Sequence, residues 1–537
     1  MKKPFLLFSL SVLFAGMPTY AADYNMESGT GHTVTVDDAF YFYDDGGPSG
    51  PITTGFSGQV TFVPTGDKAV RIDTEEFAVS ANKMFVYNGR EKDDTKILGS
   101  DKGYFVGTGP KDLVSEAEDG SMTIFFGSSK GAGATGKNLK GWKIKVSLAD
   151  KPKKQDEPMA GTYRVGPSSE ARFRNLTELQ TALAAGIAAP VTIELEDNVY
   201  AENLLLKDIA GLSATNTLTI TSVAGKPDAC VINGTTTPVD KTGTVCLDGT
   251  PYVTLTNITI AANEGNGSQT PYAALHLRNG SDNVTVEHCV ITAPLASAND
   301  NRTYLLLGVD ADNLTVKSNR FEGGYIGLYV GTDPDGDVAT VTEGLSVTDN
   351  AFGSIAYRSA QIVGCNAFDF SANTITPGIA GKKSANHLEV RRPSGAFTIL
   401  RNKLLAEQAT DCTGIYLRDG GGSADAGHPA LIANNVIAMP KAASQYTWGM
   451  CVDVTMTNLV VAHNTINIKS TATNVYGIAL NGNAAAKDVA ARIVNNIITL
   501  PGKGAALRPW NASHYANVNF AGNVYFTADG LVAVSYT

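Results

Sequence analysis

Apolar and polar residues alternate with a period of two through most of this chain, and helical spacing is rare. Between residues 23 and 148, short alternating runs are separated by turns rich in Gly, Asp and Ser, which predicts β-strands. The predicted strands are Thr33–Val36, Phe40–Tyr43, Val60–Val63, Ala69–Phe77, Lys83–Tyr87, Met122–Phe126 and Trp142–Val146. About seven strands in about 125 residues predict a β-sandwich.

After about residue 160 the pattern becomes a repeat of about 29 residues, in which a strand is followed by Asn and a second apolar pair. The repeated asparagines are Asn319, Asn350, Asn373, Asn402, Asn435, Asn464, Asn496 and Asn523. Cys289 takes the Asn place in VTVEHCVI, and Asn257 in VTLTNITI extends the repeat upstream. Such a repeat predicts a solenoid of roughly ten coils that stack strand on strand around one core.

The recurrent Asn has a physical reason in such a stack. Asn tolerates a left-handed backbone at a turn, and its amide can bond the Asn above and below it. A second strand of the form Gly-apolar-x-apolar follows in several coils, as at Gly414 and Gly449. One segment, Phe173–Gly186, has helical spacing and ends in Gly, so we expect a helix that caps the first coil.

Length, composition and charge limit the kinds of protein that this chain can be. The 537 residues suggest two to four domains, and 43% hydrophobic against 18% charged residues exclude a disordered chain. The net charge of −10 disfavours a nucleic-acid partner. The charged, Pro-bracketed segment Lys151–Pro158 cannot bury apolar area, so residues 149–160 are predicted to link a first domain, 23–148, to a second, 161–537.

The start of the chain has the layout of a secretory signal peptide over residues 1–22: Lys2 and Lys3, then an apolar run, then small residues. The alternative is a retained membrane anchor, although this apolar run is too short to span a bilayer. No later apolar run is long enough for a spanning helix either. We therefore predict a secreted or outer cell-surface protein without a membrane span. The six cysteines, all beyond residue 229, lack zinc-ligand spacing and are expected to be buried thiols or to form one or two disulfides.

The first domain resembles the CUB family. The resemblance rests on FYDDGG at Phe42–Gly47, MFVYNG at Met84–Gly89 and GWKIKVSL ending at Leu148. It implies a domain that binds proteins or glycans, and hence a possible protein partner. Many members bind calcium through an acidic residue just ahead of the second motif, where this chain has Lys83.

The repeat, over roughly residues 190–537, resembles the right-handed parallel β-helix family of pectate lyases and many secreted polysaccharide-active proteins. The order of GTYRVG, the predicted helix and TLTITSVAG resembles the opening of β-helix proteins exported by Bacteroidetes-type bacteria. The fold class implied is all-β: a CUB-like β-sandwich followed by a right-handed, single-stranded, pectin-lyase-like parallel β-helix. The partner implied is a polysaccharide or other glycan.

Strand alternation then predicts which side chains leave the solenoid core. If Ile415 and Leu417 face inward, Tyr416 and Arg418 face outward. The same register exposes His276, Arg278, Tyr329, Gln361, Glu389, Arg391, Asp453, Asn481 and Arg508. The richest part, called here the central stripe, consists of Glu389, Arg391, Tyr416, Arg418 and Asp453, with Lys382, Lys383 and His387 just upstream. Tyr faces stack on sugar rings and Arg binds carboxylate or sulfate, so the central stripe is the predicted ligand-binding site.

Three interpretations of the central stripe stay open: a solvated face, a glycan-binding groove, or a groove that also catalyses. A polysaccharide lyase needs a base beside a uronate carboxylate, for which Lys383, Arg391 and Arg418 are the candidates. Glu389 and Asp453 could hold calcium, the only cofactor that the pattern suggests. The segment ANHLEVRR resembles the Glu-x-x-Arg strand of calcium-dependent alginate and dermatan lyases. Whether the protein is an enzyme is undecided at this level.

Two further segments carry candidate chemistry. The alternating carboxylates of Asp333–Asp337 suggest either a calcium loop or an acidic turn. His428, in a Gly-rich loop after the Tyr416 strand, either overhangs the groove or is simply solvated.

Overall fold

The computed structural model divides the chain into two compact units, Met1–Lys154 and Gln155–Thr537. It describes residues 23–79, 83–93, 97–100, 103–127, 141–151, 157–234, 243–262, 272–295, 303–334, 341–376, 385–406, 412–419, 424, 427–442, 446–453, 456–472, 474–480, 490–509, 517–530 and 532. Within these ranges, no helix is long and apolar enough to cross a membrane.

The first unit consists of two sheets with a sandwich-like arrangement. Sheet A has the order β1 (Tyr24–Asn25), β3 (Phe40–Tyr43), β9 (Gly141–Ala149), β5 (Ala69–Ala78), β7 (Leu113–Val114). Sheet B has the order β2 (Gly29–Val36), β4 (Ser57–Pro64), β8 (Met122–Gly127), β6 (Lys83–Asn88). Alternate residues of both sheets share one core, in which the rings of Phe42 and Phe62 lie 5.2 Å apart and those of Phe126 and Trp142 4.8 Å apart. The CUB-like identity of this unit stays a prediction.

The second unit is a parallel β-solenoid with three long sheets. The first sheet is β10 (Met159–Val165), β11 (Ile187–Leu195), β14 (Leu218–Ser222), β17 (Val253–Thr256), β20 (Thr285–Glu287), β23 (Thr315–Lys317), β27 (Ser346–Thr348), β31 (Asp369–Ser371), β34 (Thr398–Leu400), β37 (Ala430–Ala433), β40 (Thr457–Ala462), β43 (Ala490–Val494), β46 (Val518–Ala521). The second sheet is β12 (Asn198–Tyr200), β15 (Cys230–Asn233), β18 (Thr259–Ala261), β21 (Val290–Leu295), β24 (Arg320–Gly324), β28 (Ala351–Gly353), β32 (Thr374–Thr376), β35 (Lys403–Leu405), β38 (Val436–Ala442), β41 (Thr465–Ser470), β44 (Ile497–Leu500), β47 (Val524–Thr527).

The third sheet carries the central stripe. Its strands are β13 (Leu204–Lys207), β16 (Val245–Asp248), β19 (Tyr272–Arg278), β22 (Thr303–Gly308), β25 (Ile326–Gly331), β29 (Arg358–Val363), β33 (Ala385–Arg391), β36 (Cys412–Arg418), β39 (Tyr446–Asp453), β42 (Asn474–Leu480), β45 (Ala505–Pro509). A short pair, β26 (Thr342–Glu343) and β30 (Cys365–Asn366), lies outside the three sheets, and a 3₁₀ turn spans Pro227–Ala229.

The all-β class and the parallel solenoid are confirmed, but the prediction of roughly ten coils was too low. Among the described residues the first sheet alone has 13 strands. The coil of β14 escaped notice because Cys230 takes the place of the repeated Asn, and in the next coil Ile258 is buried at that place. Asn257 was therefore assigned one residue out of register, since the strand pairing aligns Thr259 with Val290.

The predicted capping helix is shorter than expected, α1 at Leu176–Leu183. It begins there because the Asn175 side chain accepts a hydrogen bond from the Glu178 amide at 2.9 Å, which caps the helix. Leu176, Leu179 and Leu183 are buried in the core of the solenoid.

The Asn ladder forms as predicted, with one correction. Each amide Oδ1 accepts the backbone N–H of the preceding ladder residue, as between Asn402 and Asn373 at 2.9 Å, and Cys289 donates its amide to Asn319 at 2.9 Å in the same way. The left-handed backbone, however, belongs to the residue before the ladder position; Arg401, at φ 56°, is an example. The ladder Asn itself is selected for its buried hydrogen bonds.

Candidate functional site

Around Leu388 and Leu417, the inward and outward positions of the third sheet lie as the alternation predicts. Leu388 and Val390 of β33 and Ile415 and Leu417 of β36 belong to the solenoid core. The outward residues between them stack in register on neighbouring strands: Glu389 beside Tyr416, Arg391 beside Arg418, and Arg418 beside Asp453. Adjacent strands are about 4.8 Å apart, so the central stripe forms a continuous surface feature.

Two aromatic residues, Trp448 and Tyr476, lie on this outer face, although strand alternation alone would place them in the core. A Cβ placed on Gly449 would lie 2.5 Å from Cγ2 of the core residue Ile466, so Gly449 faces inward, as does Met450 after it. Two successive inward positions reverse the register, and Trp448 therefore faces outward. The same holds at Gly477, which Tyr476 precedes. The signal in the sequence is an aromatic residue directly before the Gly of the repeated strand.

Arg391 and Arg418 share one carboxylate. Nε of Arg391 donates to Oδ2 of Asp419 at 2.5 Å, and Nε of Arg418 donates to Oδ1 at 3.1 Å. The two arginines and Asp419 are called here the arginine pair. All three side chains are between 31% and 40% exposed, and within the described part of the chain the Nη atoms of neither arginine have a hydrogen-bond partner. The pair carries a net charge of +1 and directs its remaining donors away from Asp419.

The charges of the arginine pair stabilise each other. Burial alone would raise the pKa of Asp419, but hydrogen bonds and charge from both arginines outweigh it and lower the pKa. Burial likewise opposes the charge on Arg418, yet its hydrogen bond to Asp419 and the charge of that carboxylate leave its pKa raised. Both groups therefore stay ionised at neutral pH. A guanidinium with a raised pKa is a ligand for anions and does not serve as a base.

An aromatic cluster continues from the arginine pair along the same face. The Arg418 guanidinium lies 5.4 Å from the centre of the Tyr416 ring, and Trp448 contacts that ring edge-to-face at 6.4 Å. Tyr476 follows at 6.5 Å from Trp448, and the Arg508 guanidinium lies 4.4 Å from the centre of its ring. The buried indole Nε1 of Trp448 has no hydrogen-bond partner among the described residues. Tyr476 is buried, at 4% exposure, so Tyr416 and Trp448 supply the partly exposed apolar surface next to the cationic one.

Glu389 was predicted to be an exposed member of the central stripe, but its side chain is buried, with 1% exposure. Its carboxylate forms an ion pair with Nε of Arg358 at 2.9 Å and accepts hydrogen bonds from Nε2 of Gln361 at 3.4 Å and from Asn386. The guanidinium of Arg358 in turn lies 4.1 Å from the centre of the Tyr357 ring. Glu389 thus leaves the solenoid core but is covered by its neighbours, and it has a structural role.

The structure does not bring Glu389 and Asp453 together as calcium ligands. The strand register places Glu389 level with Cys451, two strands away, and Asp453 two residues further. Their Cα atoms are thus about 12 Å apart, whereas calcium ligands lie within about 2.6 Å of the ion. Among the described residues, no group of three His, Cys, Asp or Glu side chains is placed to hold a metal ion.

Several outward residues predicted to be exposed are buried, because bulky neighbours on the same face cover them. His276, Tyr329, Gln361 and Arg508 are at most 8% exposed. Arg278 forms an ion pair with Asp248 at 2.7 Å. His428 is exposed. Lys382, Lys383, Asn481 and most of Asp333–Asp337 lie outside the described residues.

His387 faces the core rather than the groove. It occupies the inward place that Gly414 holds on the next strand, and its Nε2 lies 3.0 Å from Sγ of Cys412. Burial lowers its pKa to about 4, so it is neutral. All six cysteines are buried thiols with no disulfide bond between them, which was one of the two expectations.

No family model matches the chain, and no curated protein is significantly similar to it in sequence. The Azotobacter vinelandii mannuronan C-5 epimerase AlgE4 A-module is a similar solved structure at TM-score 0.44 and 13% identity, over 67% of this chain and 93% of that one. The GH136 lacto-N-biosidase from Eubacterium ramulus gives 0.39 and 11%, over 68% of each chain. The catalytic domain of a GH87 α-1,3-glucanase gives 0.37 and 11%, over 90% and 88%. At these scores the likenesses carry no functional argument.

Proposed function

We propose that the protein is an exported glycan-binding protein that recognises an acidic polysaccharide on the outer face of the third sheet. The arginine pair supports this proposal most directly. Asp419 holds both guanidiniums by Nε, so their Nη donors are already oriented before a ligand arrives. Preorganised donors lose little conformational entropy on binding, and guanidinium binds carboxylate or sulfate through parallel hydrogen bonds.

The aromatic cluster supplies contacts for the apolar faces of the sugars. Sugar rings have apolar faces, and Tyr and Trp bury apolar area while they retain a polar group. Tyr416 lies directly beside the arginine pair, Trp448 lies on the next strand, and the buried Tyr476 packs beyond Trp448. A chain of sugars along the solenoid axis would meet cationic groups first and aromatic groups next. This order fits a polymer in which every residue has both a ring face and an acidic group.

Polysaccharide lyase activity is the alternative, and it lacks a base among the described residues of the groove. Arg391 and Arg418 are paired with Asp419, and Lys383 lies outside those residues. Recognition is therefore proposed without catalysis.

One experiment separates the two functions. The purified protein is passed over immobilised polygalacturonate, alginate and chondroitin sulfate, with neutral dextran as control. The same polymers are incubated with the protein in solution while absorbance from unsaturated products is followed. Retention on an acidic polymer without product formation is the expected result. Sustained product formation would replace the proposal with the lyase function, and no retention on any acidic polymer would contradict both for these ligands.

A further inference from the structure

The first unit presents a row of aromatic rings on the outer face of sheet B. Phe125 of β8 and Phe85 of β6 are paired neighbours in the sheet, and their rings lie 6.0 Å apart. Tyr104, just beyond the edge strand, continues the row at 6.1 Å from Phe85. All three side chains are partly exposed, while the core of the unit lies on the opposite face of the sheet. Large rings in a row on an outer face are costly to leave in water, which suggests a bound partner.

Two lysines frame this row. Nζ of Lys92 lies 3.8 Å from the centre of the Phe125 ring, and Nζ of Lys83 lies 3.8 Å from the centre of the Tyr104 ring. Both lysines are exposed, and neither forms a salt bridge with a described Asp or Glu. In a chain with a net charge of −10, these are two ammonium groups at one aromatic row without an ion-pair partner among the described residues. Lys83 is also the residue at which the first domain departs from the calcium-binding CUB pattern.

We propose that this row, Lys92, Phe125, Phe85, Tyr104 and Lys83, is a second binding site for an acidic polysaccharide. The rings take the apolar faces of the sugars, and the two ammonium groups bind their carboxylates or sulfates. The choice of ligand class rests in part on the function proposed for the third sheet. The site itself rests on the first unit alone.

An extended acidic peptide is a less suitable occupant. Peptides that bind sheets commonly add a strand to a free edge, where backbone hydrogen bonds provide the affinity. Here the aromatic groups lie on the face of sheet B and the row crosses its strands. A face offers side-chain contacts only, which suits a stiff polymer of flat rings.

The test uses the full chain and measures retardation in gels that contain polygalacturonate, alginate, chondroitin sulfate, polyglutamate or dextran. The variants are Lys83→Ala with Lys92→Ala, which removes the cations, and Phe125→Leu, which keeps apolar volume but removes a ring. Lys145→Ala is the matched control, since Lys145 is an exposed lysine on sheet A of the same unit. Unchanged thermal unfolding establishes that each variant is folded.

We expect both site variants to weaken binding of at least one acidic polysaccharide about five- to tenfold, with Lys145→Ala unchanged. Equal binding by wild type and site variants, an equal effect of Lys145→Ala, or retardation by polyglutamate alone would overturn the inference. Arg391→Gln with Arg418→Gln distinguishes the two sites. If only that variant loses binding, the second site is wrong and the solenoid site stands; if only the sheet B variants lose binding, the reverse holds.

Discussion

At the scale of single residues, the outer face of the third sheet has two kinds of side chain. Glu389 leaves the solenoid core yet is fully enclosed by Arg358, Gln361 and Asn386. Tyr416, one strand further, keeps part of its ring in solvent. The difference follows from the neighbours. The Glu389 carboxylate is enclosed by one Arg and two amide side chains, whereas Arg418 and Trp448 cover the Tyr416 ring only in part.

Tyr416 should act through its ring and Leu417 through the core. Tyr416→Ala is expected to weaken glycan binding by about 1 kcal/mol, whereas Tyr416→Phe keeps the stacking surface and should bind like wild type. Leu417→Ala should cost about 2–5 kcal/mol of folding stability because it leaves a cavity. Calorimetric binding and chemical unfolding measure the two effects. Destabilisation by Tyr416→Ala together with unchanged stability of Leu417→Ala would mean that the strand faces are inverted.

The buried ion pair gives a second test. Glu389→Gln leaves the shape nearly unchanged but removes the negative charge that compensates Arg358, so the free energy of unfolding should fall by about 3 kcal/mol. Glu343→Gln, at an exposed position, is the control and should change it by less than about 0.5 kcal/mol. Urea unfolding of both variants provides the comparison. Equal stability of the two variants would show that Glu389 is not structurally required.

At the scale of elements, the Asn ladder ties successive coils together. The amide of Asn402 accepts hydrogen bonds from the backbone and side-chain amides of Asn373, and it donates to the Phe370 carbonyl and to Asn435. All of these groups are buried. Ladder positions therefore cannot change independently of the coils on either side.

Asn402→Ala should destabilise the solenoid by about 3–5 kcal/mol, because it leaves several buried backbone and amide groups without partners. Hydrogen exchange of the Asn373 amide should rise with it, since that N–H loses its acceptor. Asn467→Ala, at an exposed position of β41, should change neither quantity. A stable Asn402→Ala variant with protected Asn373 would contradict a ladder that couples neighbouring coils.

Strands and their inward residues were predicted correctly from the sequence where the repeat is regular, and incorrectly where the repeat is interrupted. The Asn spacing predicted strand stacking, and the alternation around Leu417 predicted which residues leave the core. The coil of β14 was missed because Cys230 replaces the ladder Asn, and Ile258 at the same place in the next coil led to the assignment of Asn257 instead. Trp448 was missed because an inward Gly reverses the alternation, a feature of tertiary packing that a period of two cannot show.

The pairing of side chains on neighbouring strands could also not be predicted from the sequence. Asp419 directly follows Arg418, but only the register shows that it also reaches Arg391 on the neighbouring strand. In the same way, the burial of Glu389 depends on Arg358 from the preceding coil. Residues about 30 positions apart meet here because one coil has that length, and their side-chain pairing depends on rotamers that the pattern does not specify.

At the scale of the whole molecule, one buried carboxyl group makes the stability of the first unit depend on pH. Asp44 in the first unit is fully buried and accepts the amides of Gly46 and Trp142, yet burial raises its pKa to about 6. A carboxyl whose folded pKa exceeds its unfolded value of about 3.9 favours folding when protonated. The contribution of Asp44 to the stability of the first unit should therefore be fully present below about pH 4 and should be lost as pH rises through about 6.

Asp44→Asn removes the titration and keeps an oxygen acceptor for only one of the two amides, so it should abolish this part of the pH dependence. The measurement is urea unfolding at pH 4 to 8, followed by the fluorescence of Trp142 in a chain whose Trp448 and Trp510 are replaced by Phe. Parallel pH profiles for that chain with and without the Asp44→Asn substitution would contradict the raised pKa.

Recognition of an acidic glycan by the arginine pair is the claim on which the proposed function depends, and calorimetric titration with a polygalacturonate oligosaccharide tests it. Arg391→Gln with Arg418→Gln should lower the affinity at least about tenfold, and the affinity of the wild type should fall as salt is raised. Arg401→Gln with Arg492→Gln removes the same charge at exposed positions elsewhere on the solenoid and should bind like wild type. If both double variants bind equally, whether strongly or weakly, the arginine pair is not the site.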